Sequence, residues 1–182
     1  MHDAFAANMA SIGHVIVGLA AARIADPHAS LPKRLYTAIG LATLSLVPDL
    51  DVFAFRLGIP YEAPFGHRGA THSLAFAAIA GTLIALAWKR PGHSLRATIA
   101  LCIAVLASHG LLDMLTDGGE GVALFWPFSN ERLFFPWQPL RVAPIGRGML
   151  SARGLSVLAT ETLCFLPVLV YGLWPPRRRR QG

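Results

Sequence analysis

The sequence predicts an all-α fold: a polytopic membrane helix bundle of about four to five transmembrane helices with a long interfacial loop. Three observations predict it. Hydrophobic residues make up 54% of the 182-residue chain and charged residues only 14%, against roughly 25% charged in ordinary soluble domains. Several apolar stretches approach the roughly 20 residues that cross a bilayer. Basic residues stand at the ends of those stretches and finish in Arg177, Arg178, Arg179 and Arg180. The net charge of +6 therefore reads as anchoring of helix ends on the cytoplasmic leaflet, and no nucleic-acid partner is expected.

Residues 9–25 form the first stretch, rich in Ala and Gly, either a short span or a half-inserted helix. No basic segment of the kind that opens a cleavable signal peptide precedes it. Residues 35–55 are apolar as far as Pro48. Residues 72–88 follow Thr71, a residue type suited to a helix N-cap. Residues 95–115 are apolar almost throughout, and residues 154–174 end at Pro175-Pro176. Cys102 and Cys164 lie inside apolar runs and read as small packing residues. Residues 116–152 are too long for a simple connector. Their Trp126, Trp137, Pro127, Pro136, Pro139 and Pro144 suit a loop lying at the membrane interface. The whole chain, 1–182, reads as a single membrane-embedded domain ending in a basic tail, 175–182.

The basic residues also predict orientation. With the arginine tail in the cytoplasm, Arg23, Lys33, Arg34, Lys89, Arg90 and Arg96 fall on the same side. Arg56, Arg68, Arg132, Arg141, Arg147 and Arg153 fall opposite.

The ionisable residues inside or beside the spans then gather toward that opposite, outer side. His14 lies near the outer end of the first stretch. Asp49 and Asp51 end the second, His67 and His72 lead into the third, His109 and Asp113 close the fourth, and Glu161 lies in the last. Charged groups at the centre of a span cost about 2.5–3.5 kcal/mol each on insertion scales. A divalent cation offsets that cost, because carboxylates and neutral imidazoles are its ligands. His109 and Asp113 are four residues apart and share a helix face. The expected metal ligands are His14, Asp49, Asp51, His67, His72, His109 and Asp113. These exceed one tetrahedral shell, so either two ions bind or some of the residues support the others. Zinc is the favoured ion, with manganese or iron as alternatives. Arg68, and also Arg141 or Arg147, has the chemistry to pair with an anionic group. Glu161 reads as a partner that orients a histidine, with ligand or general base as its alternatives. His2, His28 and His93 lack apolar context and read as solvated.

The series His14, Pro48-Asp49-Leu50-Asp51, His67-Arg68-Gly69-Ala70-Thr71-His72-Ser73 and His109-Gly110-Leu111-Leu112-Asp113-Met114-Leu115-Thr116, with Trp126-Pro127-Phe128, resembles the YdjM-like family of LexA-regulated, membrane-bound metal-dependent hydrolases. The resemblance runs from about residue 10 to residue 170. It implies a metal-dependent hydrolase of the bacterial inner membrane, with His14, Asp49, Asp51, His67, Arg68, His72, His109 and Asp113 at the matching positions.

These readings converge on hydrolysis of an ester or phosphoester of a lipid or lipid-linked substrate at the outer face of that membrane. Arg68, His14 and Glu161 are the expected catalytic residues, and membrane lipids the expected surroundings. Two rivals remain. One is a metal-ion or proton-coupled transporter, since intramembrane His and Asp also line ion paths. The other is a non-catalytic adaptor whose metal only ties helices together.

Overall fold

The computed structural model describes residues 12–88, 90, 92–142 and 150–174. Residues 9–11, His2, Lys89, Pro144, Arg147 and the 175–182 tail lie outside the described residues. The chain is helical: α1 (Ile12–Ala25), α2 (Leu31–Ser45), α3 (Leu74–Trp88), α4 (Leu95–Asp113), α5 (Ala152–Cys164) and α6 (Leu166–Leu173), with 3₁₀ helices at Pro48–Leu57 and Ala70–His72. No strand is formed among the described residues; two isolated bridges, Thr116 with Leu140 and Val122 with Leu133, lie in the long loop.

The helices run back and forth between two ends. His14, Ser45, His72 and Asp113 mark one end, where α1 and α3 begin and α2 and α4 finish. At the far end, Arg23 and Arg34 both donate to the carbonyl of Trp174, and Arg34 also donates to that of Gly172. Two guanidinium groups thus meet the unpaired carbonyls that close α6, where the helix dipole favours cations.

α1 packs on α2, α4 and α6, while α2 and α3 each pack on α4. The shared core is drawn from Ala22, Leu41, Leu44, Ala77, Ala85, Cys102, Val105 and Leu106. The outward faces keep large apolar side chains exposed, among them Leu35, Ile39, Ile79, Leu83, Leu163 and Leu173. A bundle apolar on both its inner and outer faces is one whose solvent is lipid.

The spans differ from the sequence expectation in three places. Among the described residues, α4 alone is long and apolar enough to cross a membrane by itself. The 35–55 stretch stops as an α-helix at Ser45 and continues as a 3₁₀ helix bent by 43°, and the 154–174 stretch bends by 67° between α5 and α6. Pro48 and Pro167 open the second piece of each pair. A proline in a helix interior removes a hydrogen bond and clashes with the preceding turn, so each apolar run breaks there. With each bent pair taken as one span, the described residues hold up to three spanning segments. The third difference is the start of α3. Thr71 is not its N-cap; Ser73 is, its Oγ accepting from the backbone N–H of Phe76 at 3.0 Å, and Thr71 turns to a site carboxylate instead.

The 116–142 segment folds back over the site end instead of trailing along a surface. Met114, Val122 and Leu124, with Leu133 against them, make a small second core. The Leu74 N–H donates to the Leu124 carbonyl. Arg132 fastens the segment to the bundle: its guanidinium donates to the carbonyls of Tyr61 (2.8 Å), Ala63 (3.3 Å), His67 (3.1 Å) and Gly121 (3.3 Å).

Candidate metal centre

Two breaks in regular structure and the ends of two α-helices bring the site together. The 3₁₀ helix after Pro48 turns Asp49 and Asp51 inward, and both are buried. The Gly66–Gly69 turns and the short 3₁₀ helix place His67, Arg68 and His72, with Arg68 in the left-handed region at φ 59°. The last turn of α4 supplies His109 and Asp113. α1 contributes His14 near its start. Gly110 lets α4 approach the short 3₁₀ helix closely: a Cβ there would lie 2.4 Å from the carbonyl oxygen of His72.

Asp49, His72, His109 and Asp113 converge, each offering a ligand atom within 4.8 Å of the others. His109 Nε2 lies 3.2 Å from Asp49 Oδ1 and 3.8 Å from Asp113 Oδ2. His72 Nε2 lies 3.6 Å from the same Asp49 oxygen and 3.2 Å from the same Asp113 oxygen. Donors at about 2.0–2.1 Å from a tetrahedral ion stand roughly 3.3–3.4 Å apart, and these spacings bracket that value. All four residues are buried.

The hydrogen bonds behind the rings settle which nitrogen faces the centre. His109 Nδ1 stands 2.6 Å from the Ser45 carbonyl oxygen, which can only accept, so Nδ1 carries the proton. His72 Nδ1 stands 3.1 Å from Asp51 Oδ2 and 3.0 Å from Thr71 Oγ1. The Thr71 hydroxyl donates its own proton to Asp51 at 2.6 Å, so His72 Nδ1 is also the donor. In the neutral form that a metal ligand requires, each ring would aim a lone pair from Nε2 toward the carboxylate oxygens. Neither Nε2 has a hydrogen-bond partner, and Asp49 Oδ2 has none either.

Asp51 is the hub behind this set. It also accepts from His67 Nδ1 at 2.6 Å and from the Arg68 backbone N–H at 3.1 Å. Asp51, His67 and His72 form a second group with metal-ligand character, knit by protons already placed between its members.

The remaining expected residues surround the four. His14 stacks on His109 with ring centroids 3.8 Å apart and planes at 13°. Its Nε2 is 3.4 Å from Asp113 Oδ1, and neither of its nitrogens is hydrogen-bonded. Arg68 is fully buried. Its Nε meets Asp113 Oδ2 at 3.2 Å, and one terminal nitrogen donates to Thr116 Oγ1 (3.0 Å) and the Gly118 carbonyl (2.9 Å). Its other terminal nitrogen has no partner. Glu161 is buried in α5, but among the described residues it receives the backbone N–H of Ile12 at 3.3 Å and no histidine. Its carboxylate sits at the start of α1, where the helix dipole favours an anion. Arg141 is exposed. His93, expected to be solvated, pairs with Asp26 at 2.8 Å at the far end of the bundle.

Tyr61, Thr71, Thr116 and Arg132 went unread as site residues. Tyr61 packs edge-on against His67 at 5.3 Å, and a Cβ on Gly119 would lie 2.7 Å from its hydroxyl and 3.1 Å from the Arg68 guanidinium. Burial pushes the Tyr61 phenol above its ordinary pKa, with the Arg68 charge opposing, so the hydroxyl keeps its proton at neutral pH. Thr71 and Thr116 stand in the same short motifs as His72 and Asp113, and that proximity was the available signal.

No solved structure matches the chain. The inner membrane protein YbcI of Escherichia coli (strain K12) is 42% identical over 154 residues, covering 81% of this chain and 86% of that protein. The family model described as YdjM inner membrane protein matches residues 9–177, which take in every residue of the centre, and the chain belongs to that family.

Proposed function

We propose that the protein is a membrane-bound metal-dependent hydrolase of ester or phosphoester bonds, acting on a lipid or lipid-linked substrate at the outer face of the inner membrane. One observation carries the reading. The Nε2 atoms of two imidazoles and two carboxylate oxygens face one another in a buried space, at tetrahedral spacing, with the Nδ1 protons committed elsewhere. A cation reconciles these groups, and two nitrogen and two oxygen donors suit zinc, with manganese or iron as alternatives. Asp51 is engaged by four donors, so the reading takes one ion, held by Asp49, His72, His109 and Asp113, with Asp51 and His67 supporting it.

A divalent ion held there supplies Lewis acidity, lowering the pKa of water toward neutrality and polarising the scissile group. The chain's own residues do the rest. Asp51 and the Ser45 carbonyl hold the His72 and His109 rings in the ligating tautomer. The unpartnered terminal nitrogen of Arg68 and the protonated Tyr61 hydroxyl offer donors to an anionic group, as a developing negative charge requires. His14, with two unused ring nitrogens beside Asp113, takes up and returns a proton. Glu161 acts at one remove, holding the start of α1 and with it His14. The loop strapped down by Arg132 keeps bulk water from the centre.

The same reading makes the chain multi-pass, with five passes: α1, α2 with its 3₁₀ continuation, α3, α4, and α5 with α6. The C-terminus is then cytoplasmic and the centre periplasmic. α1 and α3, with 14 and 15 residues, cover only about 21–22 Å at 1.5 Å per residue. Crossing with them therefore requires local thinning of the bilayer around the bundle.

Elemental analysis of the purified protein beside a His109→Ala variant tests the reading. We expect near-stoichiometric metal in the first and a large loss in the second, with a lipid phosphodiesterase or esterase activity lost in parallel. Equal metal content in both, or metal in neither, removes the centre. Metal with no hydrolysis of any ester, together with ion movement across liposomes, would favour transport instead.

A further inference from the structure

α2 and α3 leave a groove between them that widens toward the end remote from the metal centre. Both pack on α4, and a hydrogen bond from Trp88 Nε1 to the Tyr36 hydroxyl, 3.1 Å long, bridges the gap. On one side of that bridge lies a cavity of about 590 Å³ lined by Lys33, Tyr36, Arg90 and His93, among others. On the other lies a notch of about 280 Å³ lined by Gly40, Thr43, Leu44, Val47, Ile84 and Trp88. Trp88 borders both. On α2, Tyr36 stands about one turn and Lys33 about two turns before Gly40, so the two hollows continue one another along the helix axis.

The two ends of this groove differ in chemistry. The larger chamber carries three basic side chains. Its single carboxylate, Asp26, is held by Arg90 at 2.5 Å, His93 at 2.8 Å and the Thr37 hydroxyl at 2.8 Å. With Asp26 so occupied, the ammonium of exposed Lys33 keeps its charge for a ligand. The notch has an almost wholly apolar lining, and Ile84 and Trp88 pack on the bundle core. Aromatic Tyr36 and Trp88, polar at one tip and apolar in the ring, stand at the boundary, as such rings do at a membrane interface. A cationic pocket that opens into an apolar trough has the shape of one amphiphile: an anionic head above an acyl chain.

We propose that this groove is a binding site for one anionic phospholipid, its phosphate in the Lys33–Arg90–His93 chamber and an acyl chain in the Gly40–Ile84 notch. Ser45, which holds His109 at the metal centre, is twelve residues beyond Lys33 on the same helix, about 18 Å away at 1.5 Å per residue. The phosphate and the ester bonds beside it therefore lie at the opposite end of α2 from the centre, with the acyl chain running from there along the notch toward Val47, and this lipid is not the substrate. The site depends on the bundle lying in a membrane, and not on the hydrolase reading.

Native mass spectrometry of the full-length protein, titrated with phosphatidylglycerol, with phosphatidylcholine of the same chains, or with inorganic phosphate, tests it. Phosphatidylglycerol should be retained in preference to the zwitterionic lipid. Lys33→Gln should weaken it about fivefold, the share of one basic residue near an anionic lipid. Thr43→Trp, at an exposed notch position, should weaken the lipid while leaving any phosphate binding as it was. Equal retention of both lipids, or wild-type affinity in both variants, overturns the proposal. Inorganic phosphate binding as tightly as the lipid makes the chamber a free-anion site and overturns it as well. Metal content is measured on the same samples; its absence would sink the hydrolase reading and leave this result standing.

Discussion

Asp51 shows how a residue can decide a centre without joining its inner set. It contacts His67, His72, Thr71 and the Arg68 backbone, and through His72 it fixes which nitrogen faces Asp49 and Asp113. Asp51→Asn keeps the shape but places an amide where one acceptor oxygen stood, so the His72 ring is free to flip or change tautomer. Partners of this kind typically change metal affinity by about 10–100-fold. We expect that loss in a chelator competition on the purified variant, with the helical signal in circular dichroism unchanged. Metal affinity equal to the wild type would show that His72 is held by packing alone. The seven ligand candidates were legible in the sequence because ionisable groups in apolar stretches are costly and conspicuous. Their division into inner and supporting residues was not legible. It depends on which ring nitrogen meets which acceptor, and the Ser45 carbonyl that orients His109 has no side-chain signature at all. The contact of Glu161 was hidden for a related reason: among the described residues its partner is a backbone N–H at a helix start, invisible to a search for histidines.

At the scale of elements, the apolar runs located the helices well and their continuity poorly. Hydropathy averages over a window, so it passes straight through Pro48 and Pro167, where the backbone bends by 43° and 67°. The prolines themselves were the available signal. The break at Pro48 has a use, since an unbroken α2 would carry Asp49 and Asp51 around a regular helix surface instead of turning both inward. The junction of α3 and α4 has the least slack. Gly110→Ala sets a methyl 2.4 Å from the His72 carbonyl, and backbone cannot yield as a flexible side chain does. Overpacking of this order costs about 1–3 kcal/mol, which thermal unfolding in detergent should report as a clear fall in Tm. Metal content should fall with it, because the displaced backbone carries His72. Ser73→Ala removes the α3 cap and should cost about 1 kcal/mol with metal retained. If the two variants lose metal equally, the site responds to the stability of α3 in general and not to the Gly110 contact.

For the whole molecule, the alternation of helix ends makes a prediction that depends on no chemistry. His14, His72, His109 and Asp113 share one end of the bundle. The Asp26–Ser30 turn, Arg90 and Trp174 share the other, where Arg23 and Arg34 grip the end of α6. Basic residues gather at that second end, and positively charged loops are retained on the cytoplasmic side. The end that carries the candidate metal centre, with its 116–142 cover, should therefore face the periplasm. Single cysteines at two exposed positions, Ser30→Cys at the basic end and Asn130→Cys in the cover, test this after Cys102 and Cys164 are replaced by alanine. In intact spheroplasts a membrane-impermeant maleimide should label the Asn130 variant and spare the Ser30 variant, which should react only once the membrane is opened. The reverse pattern would put the centre in the cytoplasm and move its substrate to the inner leaflet. Labelling of both from outside would mean that the chain does not separate the two ends across the bilayer. The short α1 and α3 would then rest in one leaflet, and the five-pass topology would have to be abandoned.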